Sequence, residues 1–264
     1  MTPLLHAQNL TFAYAGEDVV RNVAVDLNAG QVVMLLGPNG SGKSTLIKLL
    51  LGILRGQGKI SWENRDIESW NRRELAKRIA YLPQSPAWDP NQTVHDALRL
   101  GRAPYWAAFG IESARDASVV TEIAALLNLN EVLNRRMDEI SGGQRQRVFI
   151  ARCLVQEPTA MLLDEPNTFL DLHHQVELGL LLRKLAKEKK IGVLMASHDL
   201  NLAGAFADQM VLLSEGRMVK NGSAREVMNP DVLSAVYGVK MERIESESGS
   251  VVVTPLVQPI HSRL

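Results

Sequence analysis

The chain has 264 residues, which suits one large domain or two lobes, and its 46% hydrophobic content supports a sizeable core. Lysine plus arginine and aspartate plus glutamate both number 29, so the formal net charge is zero, which argues against the basic footprint of a nucleic-acid binder. The single cysteine, Cys153, excludes an intrachain disulfide and is compatible with a reducing compartment. No Lys or Arg precedes Arg21, so the basic start of a secretory leader is missing, and no apolar run approaches the ~18 residues of a membrane span. The chain is therefore expected to be soluble by itself and to reach a membrane only through a partner.

In chain order, residues 4–28 read as strands. Leu10, Phe12 and Tyr14 alternate and share one face. Ala15-Gly16-Glu17-Asp18 predicts a turn, Val19 to Leu27 a second strand, and Asn28-Ala29-Gly30 a second turn. The continuous apolar run Val32 to Leu36 suits a buried parallel strand. It leads into Gly37-Pro38-Asn39-Gly40-Ser41-Gly42-Lys43-Ser44, which fits the phosphate-loop pattern G-x-x-x-x-G-K-[ST]. Thr45 to Leu51 then predicts a helix that Gly52 ends.

Strand, loop and helix is the context that motif requires. Glycines let successive N–H groups turn inward on an anion, and the new helix aims its positive end at the same spot. Lys43 can then reach the β- and γ-phosphates and the Ser44 hydroxyl can ligate Mg²⁺. A mere glycine turn before a core helix is the alternative. With glycine near 7% of residues, the pattern would arise by chance on the order of once in a hundred such chains.

Lys59 to Trp62 predicts a strand, residues 72–79 a short helix, and Tyr81-Leu82-Pro83-Gln84 closes this part. Pro86 and Pro90 flank Trp88 and predict an irregular loop. From Thr93 to Gln156 apolar residues recur at helical spacing, which predicts a mostly helical lobe. Ala160 to Leu163 and Ile191 to Ala196 read as buried strands, with a helix over 173–189 whose basic end suits a helix C-terminus. Met210 to Leu213 and Arg217 to Lys220 predict a hairpin around Ser214-Glu215-Gly216. The tail carries no clear pattern.

Two further stretches carry chemistry. Asp164 follows the apolar strand directly, and a carboxylate at the C-terminal end of a parallel strand sits where such sheets bind ligands. It is placed to hold Mg²⁺ through water, and the adjacent Glu165 could polarise an attacking water. Ile140-Ser141-Gly142-Gly143-Gln144 starts a second helix with free N–H groups and a serine hydroxyl, a second anion site. An ordinary capped helix start is expected to need neither both glycines nor the glutamine. Two phosphate-binding helix starts in one chain suggest a nucleotide shared between two copies.

The set resembles the ATP-binding cassette (ABC) family, the nucleotide-hydrolysing subunits of ABC transporters, over nearly the whole chain. Gly37 to Ser44 is similar to its Walker A, Ser141-Gly142-Gly143-Gln144 to its signature (with Ile140 where Leu is usual), and Ala160 to Asp164 to its Walker B. Glu165 matches the catalytic glutamate, Gln84 the Q-loop glutamine, His198 the switch histidine, Leu170-Asp171 the D-loop, and Tyr14 the aromatic that stacks on adenine. The resemblance implies an α/β fold: a P-loop NTPase, RecA-like core with an antiparallel β subdomain and an inserted helical subdomain. It divides a single cassette into a core over 1–84 and 158–264 and a helical subdomain over 85–157. It also implies ATP and Mg²⁺ as ligands, with Ser44, Gln84 and Asp164 at the metal. Gly37, Pro38, Asn39, Gly40, Ser41, Gly42, Lys43, Ser44 and Thr45 hold the phosphates. Lys43, Glu165 and His198 act in catalysis. Across a head-to-tail dimer, Ser141, Gly142, Gly143, Gln144 and Asp171 complete the site.

Asp164-Glu165-Pro166-Asn167-Thr168-Phe169-Leu170-Asp171-Leu172-His173-His174-Gln175 is similar to the branch serving ferric siderophore, haem and cobalamin importers, with Asn167 where Thr is expected. Gly101-Arg102-Ala103-Pro104-Tyr105 and Tyr237-Gly238-Val239 are similar to that branch too. In it the cassette docks on two transmembrane permease subunits fed by a substrate-binding protein, at the cytoplasmic face of the inner membrane. The loop from Gln84 to Pro90, with the helical lobe, would form the dock, with Trp88 as a candidate contact or a packing residue within the lobe. Haem, cobalamin or molybdate import and a non-transport cassette from iron–sulfur assembly are the alternatives. A DNA-repair cassette would carry a long coiled coil between Ser44 and Ser141, and those 97 positions show no sustained heptads.

Overall fold

A computed structural model describes residues 2–107, 110–168, 170–245 and 251–256. The chain opens with β1 (Leu5–Tyr14), β2 (Glu17–Leu27) and β3 (Val32–Leu36), then α1 (Lys43–Leu50), β4 (Gln57–Trp62), β5 (Arg65–Asp66), α2 (Arg72–Ala76) and β6 (Ile79–Leu82). Three helices follow: α3 (Val94–Arg99), α4 (Ala114–Leu126) and α5 (Gly142–Leu154). The second half alternates β7 (Ala160–Asp164), α6 (Leu172–Lys189), β8 (Gly192–Ala196), α7 (Leu200–Phe206), β9 (Gln209–Ser214) and β10 (Arg217–Gly222). It ends in α8 (Ala224–Val227), α9 (Pro230–Tyr237), β11 (Met241–Glu245) and β12 (Val251–Pro255).

The central sheet runs β10-β9-β3-β8-β7-β6. All neighbours pair in parallel except the β9–β10 hairpin. Strand alternation divides its side chains between two cores. Val33, Leu35, Leu162, Leu194 and Val211 face α1 and the antiparallel layer β2-β1-β4-β5. Met34, Leu36, Leu163, Met195 and Leu212 face the other way, into a core shared with α4, α5 and α6. Because both faces are covered, β3, β7 and β8 are buried along their whole length, which is why they read as unbroken apolar runs.

The β1–β2 turn is tighter than predicted. Glu17 and Asp18 already pair with Tyr14 and Ala13, leaving only Ala15 and Gly16 in the turn, both at positive φ. The helix predicted over 72–79 ends at Ala76. Ile79 instead opens β6 opposite Ala160, the parallel slot taking a β-branched residue that the helical pattern had claimed. The tail, unread in the sequence, forms α8, α9 and the β11–β12 hairpin. That hairpin is tied to α7, where the Asn201 amide donates to Val253 O at 3.1 Å and its oxygen accepts from Val253 N at 2.9 Å.

Parallel pairing brings the ends of β3, β6, β7 and β8 to one edge: Leu35 and Asp164 both align with Ala196, and Leu82 with Leu163. The phosphate-loop candidate, Gln84, Asp164-Glu165 and His198 all follow from those strand ends, at the edge where such sheets hold ligands.

Candidate nucleotide site

An open cleft of ≈ 560 Å³ lies at that edge, lined by residues 39–45 together with Gln84, Glu165 and His198. Val19 and Thr168 line it as well; the sequence reading had singled out neither. Its floor is the loop between β3 and α1. Gly37 has φ 144, and a Cβ there would sit 2.2 Å from Leu213 O, so only glycine fits. At Gly40, φ is 79 and the space beside it is open. Gly42, at φ 100, is the N-cap of α1 and offers no side-chain cap, which leaves the first N–H groups of the helix free for a ligand.

Lys43 is buried and donates from Nζ to Gly37 O at 2.8 Å and Pro38 O at 3.1 Å. Burial pushes its ammonium below the ordinary lysine value, against the pull of Glu165 and Asp164. Ser44 donates from Oγ to Asp164 Oδ1 at 3.0 Å. Burial raises the Asp164 carboxyl above its ordinary value, the Ser44 bond works against that, and the Glu165 charge adds to it. The Ser41 hydroxyl is buried with no hydrogen-bond partner among the described residues.

Glu165 is the convergence point. Its backbone is left-handed, φ 50, an unfavourable conformation for a side-chain-bearing residue, held by the bond from its own N–H to Ala196 O at 3.1 Å. That twist turns the carboxylate into the cleft. Oε2 accepts from Gln84 Nε2 at 3.1 Å and lies 3.5 Å from His198 Nδ1, while Oε1 lies 3.8 Å from Lys43 Nζ. Three residues that follow three strand ends, β3, β6 and β8, thus surround the carboxylate that follows β7, beside a phosphate-shaped loop.

Other predicted residues lie elsewhere. Tyr14 is 46% exposed and outside the cleft lining, its ring edge-on to Phe12 with centroids 4.7 Å apart, which bears out the shared strand face. Asp171 is the N-cap of α6, accepting from His174 N and pairing with His174 Nδ1 at 2.7 Å. Ser141 to Gln144 stand exposed or half-buried at the start of α5 and do not line the cleft of their own chain. There Ser141 Oγ accepts from Gln144 N at 3.2 Å while Gln144 Oε1 accepts from Ser141 N at 3.0 Å. This reciprocal capping box corrects the expectation that an ordinary helix start has no use for the glutamine. The glycines are a different matter. Neither has a positive φ, and a Cβ on Gly142 would meet nothing within 4 Å. A Cβ on Gly143 would only touch the His174 ring at 3.6 Å, so His174 lies against this turn. Among the described residues nothing in the fold of one chain requires glycine at 142.

The sequence profile of the ABC transporter family matches residues 20–168. The chain belongs to the ABC transporter family. As a member it binds ATP and is an ATPase coupled to transport. The cassette is 37% identical over 239 residues to the iron(3+)-hydroxamate import ATP-binding protein of Bacillus subtilis, covering 90% of this chain and 89% of the relative. It is 36% identical over 242 residues to the hemin import ATP-binding protein of Escherichia coli O157:H7, covering 89% and 92%. Among solved structures, a chain of an inward-facing ABC transporter of the metal-chelate type superimposes with a TM-score of 0.85 at 31% identity, covering 97% of this chain and 98% of that one. A bacterial ABC transporter cassette solved as a dimer matches with a TM-score of 0.74 at 27% identity, covering 84% and 99%. The P-loop NTPase fold of the cassette, with its antiparallel β layer and inserted helices, is that of these relatives.

Proposed function

We propose that this chain powers the import of an iron complex, a ferric siderophore in the first instance, from the cytoplasmic face of an inner membrane. The cargo reading draws on the hydroxamate and hemin relatives, and on the metal-chelate likeness over nearly the whole chain. Among the described residues no helix is long and apolar enough to cross a membrane, so two permease subunits supply the path, fed by a substrate-binding protein. Co-purification with a polytopic permease, with turnover raised by a loaded binding protein, tests this. Failure to bind any permease favours the iron–sulfur assembly alternative.

Two copies pack head to tail, with each ATP between Gly37–Ser44 of one and Ser141–Gly143 of the other. What supports this is the glycine at 142: its own chain leaves the position free, so a closely approaching neighbour accounts for it. Residues 85–157 act as the helical subdomain that carries this second face, and Asp171 adds the D-loop contact. Tyr14 offers its exposed ring to adenine, braced by Phe12.

The observation that carries the hydrolytic reading is the convergence of Lys43, Gln84 and His198 on Glu165. Lys43 and the amides of residues 40 and 42–44 neutralise the phosphates. Glu165 takes the proton from the attacking water, and His198 orients that water on the γ-phosphate. The oxygen-only donors Ser44 and Asp164 suit Mg²⁺, with Gln84 as a further oxygen ligand. Bound there, Mg²⁺ would supply charge neutralisation between the β- and γ-phosphates.

Glu165→Gln tests the assignment: it should keep ATP binding, lose turnover, and accumulate an ATP-held dimer on size-exclusion chromatography. Wild-type turnover in that variant would remove Glu165 as the base. Ser141→Arg should spare ATP binding by the single subunit and block turnover; normal turnover would refute the shared site.

A further inference from the structure

We propose that Trp88 and Arg145 form a positioning pair that ties the loop after Gln84 to the start of α5, and so sets where Ser141–Gly143 meets the partner's nucleotide. This inference rests on the shared-site reading above.

The Arg145 guanidinium lies over the Trp88 ring, 4.2 Å from its centroid. Its Nη2 donates to Ile140 O at 3.2 Å, immediately before the N-cap Ser141, and its backbone N–H donates to Ser141 O at 2.9 Å. Arg145 Nε is buried with no hydrogen-bond partner among the described residues, and the indole face offsets its lost water. The next residue secures the other side: Gln146 Nε2 donates to Pro166 O, directly after Glu165. The first turn of α5 is therefore held between the Gln84 loop and the Glu165 loop of its own chain.

Trp88 also stands between two hollows. Outside it is an open groove of ≈ 690 Å³ bordered by Asp89, Gln92, Asp96, Leu100 and Arg152. Inside it is a narrower gap of ≈ 290 Å³ that reaches Gln84, Glu165 and Gly142. The ring packs on the helical core, and was the sequence's candidate for a permease contact. The geometry gives it a second duty: the side chain that borders the outer groove also holds Arg145. A planar cation on an aromatic plate tolerates sliding better than a fixed hydrogen bond would, so the pair can transmit a shift without breaking.

The test uses the full chain and four variants: Trp88→Ala, Trp88→Phe, Arg145→Met and the Trp88→Ala/Arg145→Met double. ATP affinity of the single subunit is measured by equilibrium titration, and kcat and KM for ATP at saturating subunit concentration. Trp88→Ala and Arg145→Met should each lower kcat about tenfold, the scale of a partly desolvated cation–π contact. Single-subunit affinity should change less than about twofold, because the cleft of that chain is untouched. Trp88→Phe should recover most of the loss, and the double variant should be no worse than either single. Unchanged kcat, additive losses, or a Phe variant no better than Ala would overturn the pair. So would a loss of single-subunit affinity in proportion to kcat, which marks general misfolding. Ser141→Arg is run alongside. If it keeps turnover, the shared site itself has failed; if it is inactive while Trp88→Ala is normal, only the positioning pair has.

Discussion

Replacing Arg102 by methionine should cost the cassette about 3 kcal/mol of stability, the lower end of what breaking a buried ion pair costs. Arg102 is 1% exposed. Its Nε donates to Asp116 Oδ1 at 2.8 Å, its Nη1 to Val155 O at 2.6 Å and Glu157 Oε2 at 2.8 Å, and its guanidinium lies 3.8 Å from the Tyr105 ring centroid. Methionine keeps the stem and drops all of these. Glu157, 38% exposed, rehydrates and keeps Arg115. Asp116, 3% exposed, cannot rehydrate, and it sets the cost. It retains the Ser113 N–H and hydroxyl bonds at 2.8 and 2.7 Å, which is why the lower end applies. For a chain of this size that corresponds to a fall in Tm of about 6–12 °C. Urea unfolding of Arg102→Met and of Arg102→Met/Asp116→Asn measures it. The second change removes the stranded charge and should restore about half of the loss. A single-variant loss below about 1 kcal/mol, or a double variant worse than the single, would refute the reasoning.

Burial raises the Asp116 carboxyl, but the Ser113 bonds and Arg102 outweigh it and hold it below its ordinary value. The unfolded chain then binds more protons across that window, so the contribution is full above about pH 5 and is lost as pH falls through the folded value. The stability difference between wild type and Asp116→Asn should shrink in acid, read from Tm against pH; a difference that grows in acid contradicts the assignment. Gly37→Ala should destabilise by about 3 kcal/mol or more, given its backbone and the 2.2 Å approach of Leu213 O. Gly142→Ala should leave Tm at or above wild type yet lose turnover, and full activity there would count against a close neighbour at 142. Lys43→Ala should weaken ATP binding by about 10- to 100-fold, the worth of charged hydrogen bonds, and unchanged titration would remove it from the phosphate site.

The sheet was legible because β3, β7 and β8 are buried on both faces and leave apolar signatures of four or five residues. The cleft was legible because Gly37 and Gly42 satisfy backbone demands that no other residue meets. The end of α2 was not, since Ile79 suits either a helix face or a parallel strand and only pairing with Ala160 decides. Long-range polar ties left no local trace. Arg102 meets Glu157 across 55 positions and Gln84 meets Glu165 across 81. The Ser141–Gln144 cap was hidden for the opposite reason, a strictly local motif overlooked because the same residues resembled a binding signature.

The bond from Gln84 to Glu165 has a bearing on idleness. An oxygen already accepting a hydrogen bond at 3.1 Å offers one fewer lone pair to a passing water. If Glu165 is the base, as proposed above, a solitary subunit keeps one oxygen of that base engaged by its own amide, and any event that draws Gln84 aside also frees that oxygen. Restraint against waste and sensitivity to a docked neighbour are then two readings of one contact.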